Sequence, residues 1–139
     1  SNLRFYGVGP EETYADRKHA KLGVWSTDAY RDRAPYLLPQ ETGNHEDVRW
    51  AEITDDSGHG LRVKHAVKPF AMSLLPYSSA MLEEALHQAE LPKPRHMFLR
   101  LLAAQMGVGG DDSWMSPVHA QYQLPADQPL SLNVQLKLF

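Results

Sequence analysis

The chain contains no cysteine. Disulfides, zinc–thiolate sites and a cysteine nucleophile are therefore excluded by composition. It also lacks any apolar run near the roughly 18 residues of a membrane-spanning helix, so no membrane partner is expected. No charged segment followed by an apolar stretch opens it, so no signal peptide is read. A basic excess is missing too. Lys and Arg number 14 against 17 Asp and Glu, a net charge of −3, which argues against a nucleic-acid partner. There is no repeat, low-complexity tract or linker. What is present suits one domain: 139 residues, 42% hydrophobic and 22% charged. That is too apolar for disorder and long enough to bury close to 70% of the unfolded surface. Ser1-Asn2 reads as a cloning remnant, which leaves a single domain over residues 3–139.

The 9 glycines and 10 prolines are scattered. Many short elements joined by turns are expected, the pattern of an all-β sandwich or barrel. Strands are predicted at Leu3–Tyr6, Leu22–Trp25, Val48–Ile53, Leu61–Val63, Phe70–Leu75, His96–Ala104, Val118–Leu124 and Leu130–Leu138. In the last, Leu130, Leu132, Val134, Leu136 and Leu138 share one face, as in a half-buried antiparallel strand. Asp55-Asp56-Ser57-Gly58 predicts a hairpin turn. Residues 31–46 hold Pro35, Pro39, Gly43 and Asn44 and no period, and read as a long loop. One helix is predicted from a Ser78 or Ser79 cap, with Met81, Leu82, Ala85, Leu86 and Ala89 on one face, ending before Pro92. Trp25 and Trp50 fall in strand patterns and read as core or cross-strand packing.

Few residues present themselves for chemistry. The 7 histidines have no helical metal-ligand spacing and read as solvated or singly hydrogen-bonded. Asp111-Asp112 cannot converge as a glycosidase pair, because adjacent side chains on extended backbone point apart. Stabilisation of their turn is the plainer role. Glu11-Glu12 and Glu83-Glu84 read as solvated faces. Gly107-x-Gly109-Gly110 lacks the following helix that a phosphate loop needs. Trp114 stands apart, in a loop between a glycine-rich turn and Ser116-Pro117. Either it is a flat apolar platform for a ligand such as the C–H face of a sugar, or it folds back as a lid on the core.

Four stretches carry a family resemblance. Gly9-Pro10-Glu11-Glu12-x-Tyr14-x-Asp16-Arg17 resembles a segment of the C-terminal domain of β-galactosidases of glycoside hydrolase family 2. Pro35-Tyr36-x-x-Pro39-Gln40-Glu41-Thr42-Gly43-Asn44 with Asp47-Val48-Arg49-Trp50 is similar to a second, and Tyr77-Ser78-x3-Leu82-x2-Ala85-x-His87 to that domain's helix. Met106-Gly107-Val108-Gly109-Gly110-Asp111-Asp112-Ser113-Trp114 matches a fourth in full. The stretches follow the family's order. Thr42 and His45 depart from it, standing where Asn and Arg are usual.

The resemblance implies a mainly β fold: the C-terminal part of an antiparallel β-sandwich of the supersandwich, galactose mutarotase-like type, with one α-helix. It implies that the chain is a fragment of an enzyme that hydrolyses terminal β-D-galactosides of the lactose type with retention. The catalytic glutamates and a magnesium ion would sit on a separate TIM-barrel domain, leaving no catalytic residue, metal or cofactor site in this chain. Trp114 would stack on the galactoside, with Gly109, Gly110, Asp111, Asp112 and Ser113 as the loop that positions it. Partners would be the TIM barrel and the N-terminal half of the sandwich. A homo-oligomer and a cytoplasmic location are expected of the whole enzyme. A non-catalytic carbohydrate-binding module and a structural interface module are the alternatives.

Overall fold

The computed structural model describes all 139 residues. Its strands are β1 (Asn2–Gly9), β2 (Lys21–Asp28), β3 (His45–Val48), β4 (Trp50–Thr54), β5 (Gly60–His65), β6 (Phe70–Leu75), β7 (Phe98–Leu102) and β8 (Val134–Leu138). One helix, α1, covers Ser79–Glu84. Two antiparallel sheets form, in the orders β2-β1-β4-β5-β8 and β3-β6-β7. The alternation of β1 explains its place: Leu3 and Phe5 point inward while Arg4 and Asn2 face water. With Ala51 and Val63 they meet Val48, Phe70, Met72 and Leu74 of the other sheet in one core. The fold is thus a mainly β sandwich with antiparallel sheets, as expected.

β6 is buried along its whole length. Phe70, Met72 and Leu74 fill the core. On its other face Leu75 packs with Tyr77, Leu82 and Leu91, which cover the outside of the smaller sheet. Trp25 packs against the core and donates to the Gly7 carbonyl at 3.2 Å. Trp50 lies on the outer face beneath the Arg4 guanidinium, 5.3 Å from its ring centre. Ser1 and Asn2 are engaged in the sheet: Asn2 opens β1 and the Ser1 carbonyl accepts from the Ala29 amide at 3.0 Å.

Several predicted boundaries are corrected. Val48–Ile53 is not one strand: Arg49 is a corner between β3 and β4, which lie in different sheets. Its amide donates to Tyr6 O at 2.8 Å and its carbonyl accepts from the His65 amide at 3.0 Å. The helix stops at Glu84, and a single 3₁₀ turn follows at Gln88–Glu90. There the Glu90 carboxylate accepts from the Leu86 amide at 2.7 Å and the His87 amide at 3.3 Å. That local bonding competes with helix continuation, and Leu86 is exposed rather than packed. β7 is half-buried, not buried, because it forms an edge of its sheet. Val118–Leu124 is not a strand; it holds one 3₁₀ turn at Ala120–Tyr122, and no neighbouring ladder is there to receive it. Leu130–Leu138 pairs only from Val134 onward. Val134 reaches the core, but Leu136 and Leu138 remain 61% and 80% exposed. The Asp55–Gly58 turn does join β4 to β5, with Asp55 accepting from the Ser57 and His59 amides at 2.8 and 3.0 Å.

Candidate functional site

The segment between β1 and β2 organises both long loops. Glu12 is the first hub. Its carboxylate accepts from Tyr14 Oη at 3.1 Å, Thr42 Oγ1 at 2.8 Å and the Gly43 amide at 2.9 Å, and from Tyr36 Oη. Arg17 stands 3.9 Å away. Burial pushes the Glu12 pKa up, but the donors of Tyr36, Gly43, Thr42 and Tyr14 outweigh it and hold the carboxyl below its ordinary range. Burial pushes the Tyr14 hydroxyl up, and the charge and hydrogen bond of Glu12 add to it. The reading of Glu11-Glu12 as a solvated face therefore fails for Glu12, whose side chain is almost wholly covered. Thr42 does a defined job in this network: it donates to Glu12 and accepts from the Ala34 amide at 2.9 Å, pinning two points of the 31–46 loop. His45 is fully buried, 2.9 Å from Asp32, with its ring centre 4.2 Å from that of Phe5 and tilted 37° to it.

Asp16 is the second hub, four residues on. Its two carboxylate oxygens accept from the amides of Val108 at 3.0 Å and Gly109 at 2.8 Å. Slight burial raises its pKa, the two amides outweigh that, and the carboxyl lies below its usual range. Gly107 lies against the same carboxylate. A Cβ there would stand 2.6 Å from Asp16 Oδ2 and 2.8 Å from Tyr122 Cβ, so only glycine fits. Its amide donates to the Tyr122 carbonyl at 2.9 Å. Gly109 and Gly110 follow with φ of +72° and +102°, a left-handed stretch that turns the chain outward.

The loop beyond is held by its own acids. Asp112 accepts from the Trp114 amide at 2.8 Å, the Ser116 amide at 3.2 Å and Ser116 Oγ at 2.7 Å. The Ser116 hydroxyl and these amides hold its carboxyl below the usual range. Asp111 turns the other way and pairs with His119, whose pKa is raised by that hydrogen bond and by the attached charge. The two adjacent carboxylates thus diverge, as the sequence suggested, and each has a turn-holding role. Ser113 is exposed within the turn.

Trp114 is 86% exposed. It does not fold back as a lid on the core. The structure therefore places Gly109, Gly110, Asp111, Asp112, Ser113 and Trp114 on one projecting, polar-tied loop. Histidines 45, 59, 87 and 119 each meet one carboxylate, and no three metal-ligating side chains converge. Sequence reasoning missed Glu12 and Asp16 as organisers. The available signal was a string of acids in a segment without strand pattern, placed beside a proline turn.

The comparisons with known proteins agree with these motifs. A family model described as beta galactosidase small chain matches residues 1–136. A Bifidobacterium adolescentis protein named beta-galactosidase BgaC is 89% identical over 141 aligned positions, covering 100% of this chain and 13% of that protein. A Streptococcus thermophilus beta-galactosidase is 41% identical over 138 positions, 99% of this chain and 14% of its own length. A Latilactobacillus sakei beta-galactosidase small subunit is 40% identical over 127 positions, 84% of this chain and 40% of that subunit. The chain spans about an eighth of the first of these relatives. On its near-complete match to the family model, the chain belongs to the beta-galactosidase small-chain family.

Proposed function

We propose that this chain is the part of a β-galactosidase that completes the substrate mouth, with Trp114 as an aromatic platform for the galactose ring. One observation carries the reading. A tryptophan is 86% exposed, and every tie on its loop is a polar bond to backbone or to a neighbouring acid. Such exposure leaves a large apolar ring in water, which suits a face that a sugar's C–H groups cover on binding. The relatives' names support the substrate class.

The chemistry belongs to other domains of the parent protein. Retaining hydrolysis needs two carboxyl groups about 5–5.5 Å apart across the scissile bond. Here Asp111 is committed to His119 and Asp112 to its own turn. The isolated chain is therefore expected to turn over no galactoside. Its contribution is orientation: a ring held against Trp114 enters the site in one pose, which lowers the entropic part of the barrier. The exposed apolar strip on β8 fits burial against the N-terminal half of the sandwich, and the loop's projection fits a meeting with the TIM barrel. Magnesium, retention and homo-oligomeric assembly are properties proposed for the whole enzyme, not for residues of this chain.

The deciding experiment is kinetics of the full-length enzyme with Trp114→Ala. We expect kcat/KM for a galactoside to fall on the order of 10–100-fold, the scale of one aromatic stacking contact, with unfolding midpoint unchanged because the side chain is solvated. Unchanged kinetics in an active enzyme would reject the platform. An interface role for Trp114 is the competing reading, favoured by the neighbouring exposure of Met115. It would show as altered assembly at constant kinetics.

A further inference from the structure

We propose that Asp16 is a positioning residue for Trp114, fixing where the glycine-rich loop stands on the sandwich and so where the indole meets the sugar. The inference rests on the platform reading of Trp114. The ties inside the loop are short-range: Asp112 bonds to positions two and four residues on, and Asp111 to His119 eight residues on. They define the loop's internal shape, but they do not locate it on the rest of the molecule. Asp16 does, reaching across 92 and 93 residues of sequence to Val108 and Gly109. Both carboxylate oxygens are used, one on each of two consecutive amides. That arrangement fixes the direction of the backbone as well as its distance. Gly107 is pressed against the same carboxylate, so the loop's base cannot settle lower without displacing it. The chain then swings outward at Gly109 and Gly110, and Trp114 comes five residues after the clamp. Any pivot at the base is carried to the indole. A displacement of about 1 Å at a substrate-orienting group can cost on the order of 100-fold in rate.

Asp16→Asn keeps the shape of the side chain but turns an amide N–H₂ toward a backbone N–H, leaving one amide without its acceptor. The test is a double-mutant cycle in the full-length enzyme: wild type, Asp16→Asn, Trp114→Ala and both together. Asp16→Asn is expected to lower kcat/KM about tenfold, with the same split between KM and kcat as Trp114→Ala. In the Trp114→Ala background it is expected to change nothing further. Gly107→Ala, which drives a methyl group into the carboxylate, should repeat the pattern with Asp16 intact; it decides the matter by the same cycle if Asp16→Asn does not fold. Silent kinetics of Trp114→Ala would overturn the platform reading itself. A costly Trp114→Ala beside a silent Asp16→Asn, or an Asp16→Asn effect of equal size in both backgrounds, would overturn the positioning role alone.

Discussion

Glu12 shows how much one side chain can hold. Two tyrosines, a threonine and a backbone amide converge on a single covered carboxylate, and three of those donors lie in the 31–46 loop. Replacing one partner of such a group leaves buried polar atoms unsatisfied, at about 1–3 kcal/mol. Glu12→Gln should therefore lower unfolding stability by about that amount in a denaturant titration. Its pH dependence follows from the direction of its shift. The folded pKa is depressed below 4.5, so the stabilisation is present at neutral pH and is lost as pH falls through the folded value. The acid limb of wild-type unfolding should flatten in Glu12→Gln; an unchanged limb would assign acid sensitivity to another group. Thr42 and His45, the two departures from the resemblance, are both built in, one bonded to Glu12 and the other to Asp32. A departure in sequence need not be a defect in structure.

At the scale of elements, the loop from Gly107 to His119 is tied internally by Asp112 and by the Asp111–His119 pair. The pair is surface-exposed, so its grip is modest. Its sign is nonetheless definite. His119 has a pKa raised above 6.5, so its contribution is complete at pH values below 6.5 and is lost as pH rises through the elevated folded value. Proton resonances of His119 should titrate above 6.5 and return toward that value in Asp111→Asn. A His119 that titrates identically in both would mean the pair does not form in solution. The same scale explains where sequence patterns misled. Val118–Leu124 and Leu130–Leu132 have β-like composition, yet a strand exists only where a neighbouring strand supplies hydrogen bonds, and none does there. The helical stripe beyond Glu84 fails for a related reason: Leu86 is left exposed, and Glu90 captures the backbone amides of Leu86 and His87.

Across the whole molecule, the three-stranded sheet covers only part of the inner face of the five-stranded one. Leu136 and Leu138 follow Val134 along one face of β8, opposite Val63 and Leu61, and are largely uncovered, and β8 has an unpaired outer edge. Such strips are surfaces for association. The isolated chain is expected to self-associate at high concentration, measurable by sedimentation velocity. Leu136→Lys with Leu138→Lys should shift it toward monomer without loss of fold. A wild-type chain that is monomeric throughout would show that the strip is tolerated in water.

The sequence by itself determined the class and most of the inventory. Alternation made β1, β4 and β5 legible and an unbroken apolar run made β6 legible, because both patterns are local properties of the strand. The Asp55 hairpin and the Ser78 cap were legible because one polar side chain satisfies amides a few residues away. The glycine-rich loop and Trp114 were legible from four motifs in order. What only the tertiary structure decided were contacts between parts distant in sequence: the corner at Arg49, the end of the helix, the bare face of β8, and above all the two hubs. Glu12 and Asp16 look like solvent-facing acids in a turn. They became the supports of the two long loops because folding brings amides and hydroxyls from 24 to 93 residues away to their carboxylates. No local pattern encodes a partner at that separation.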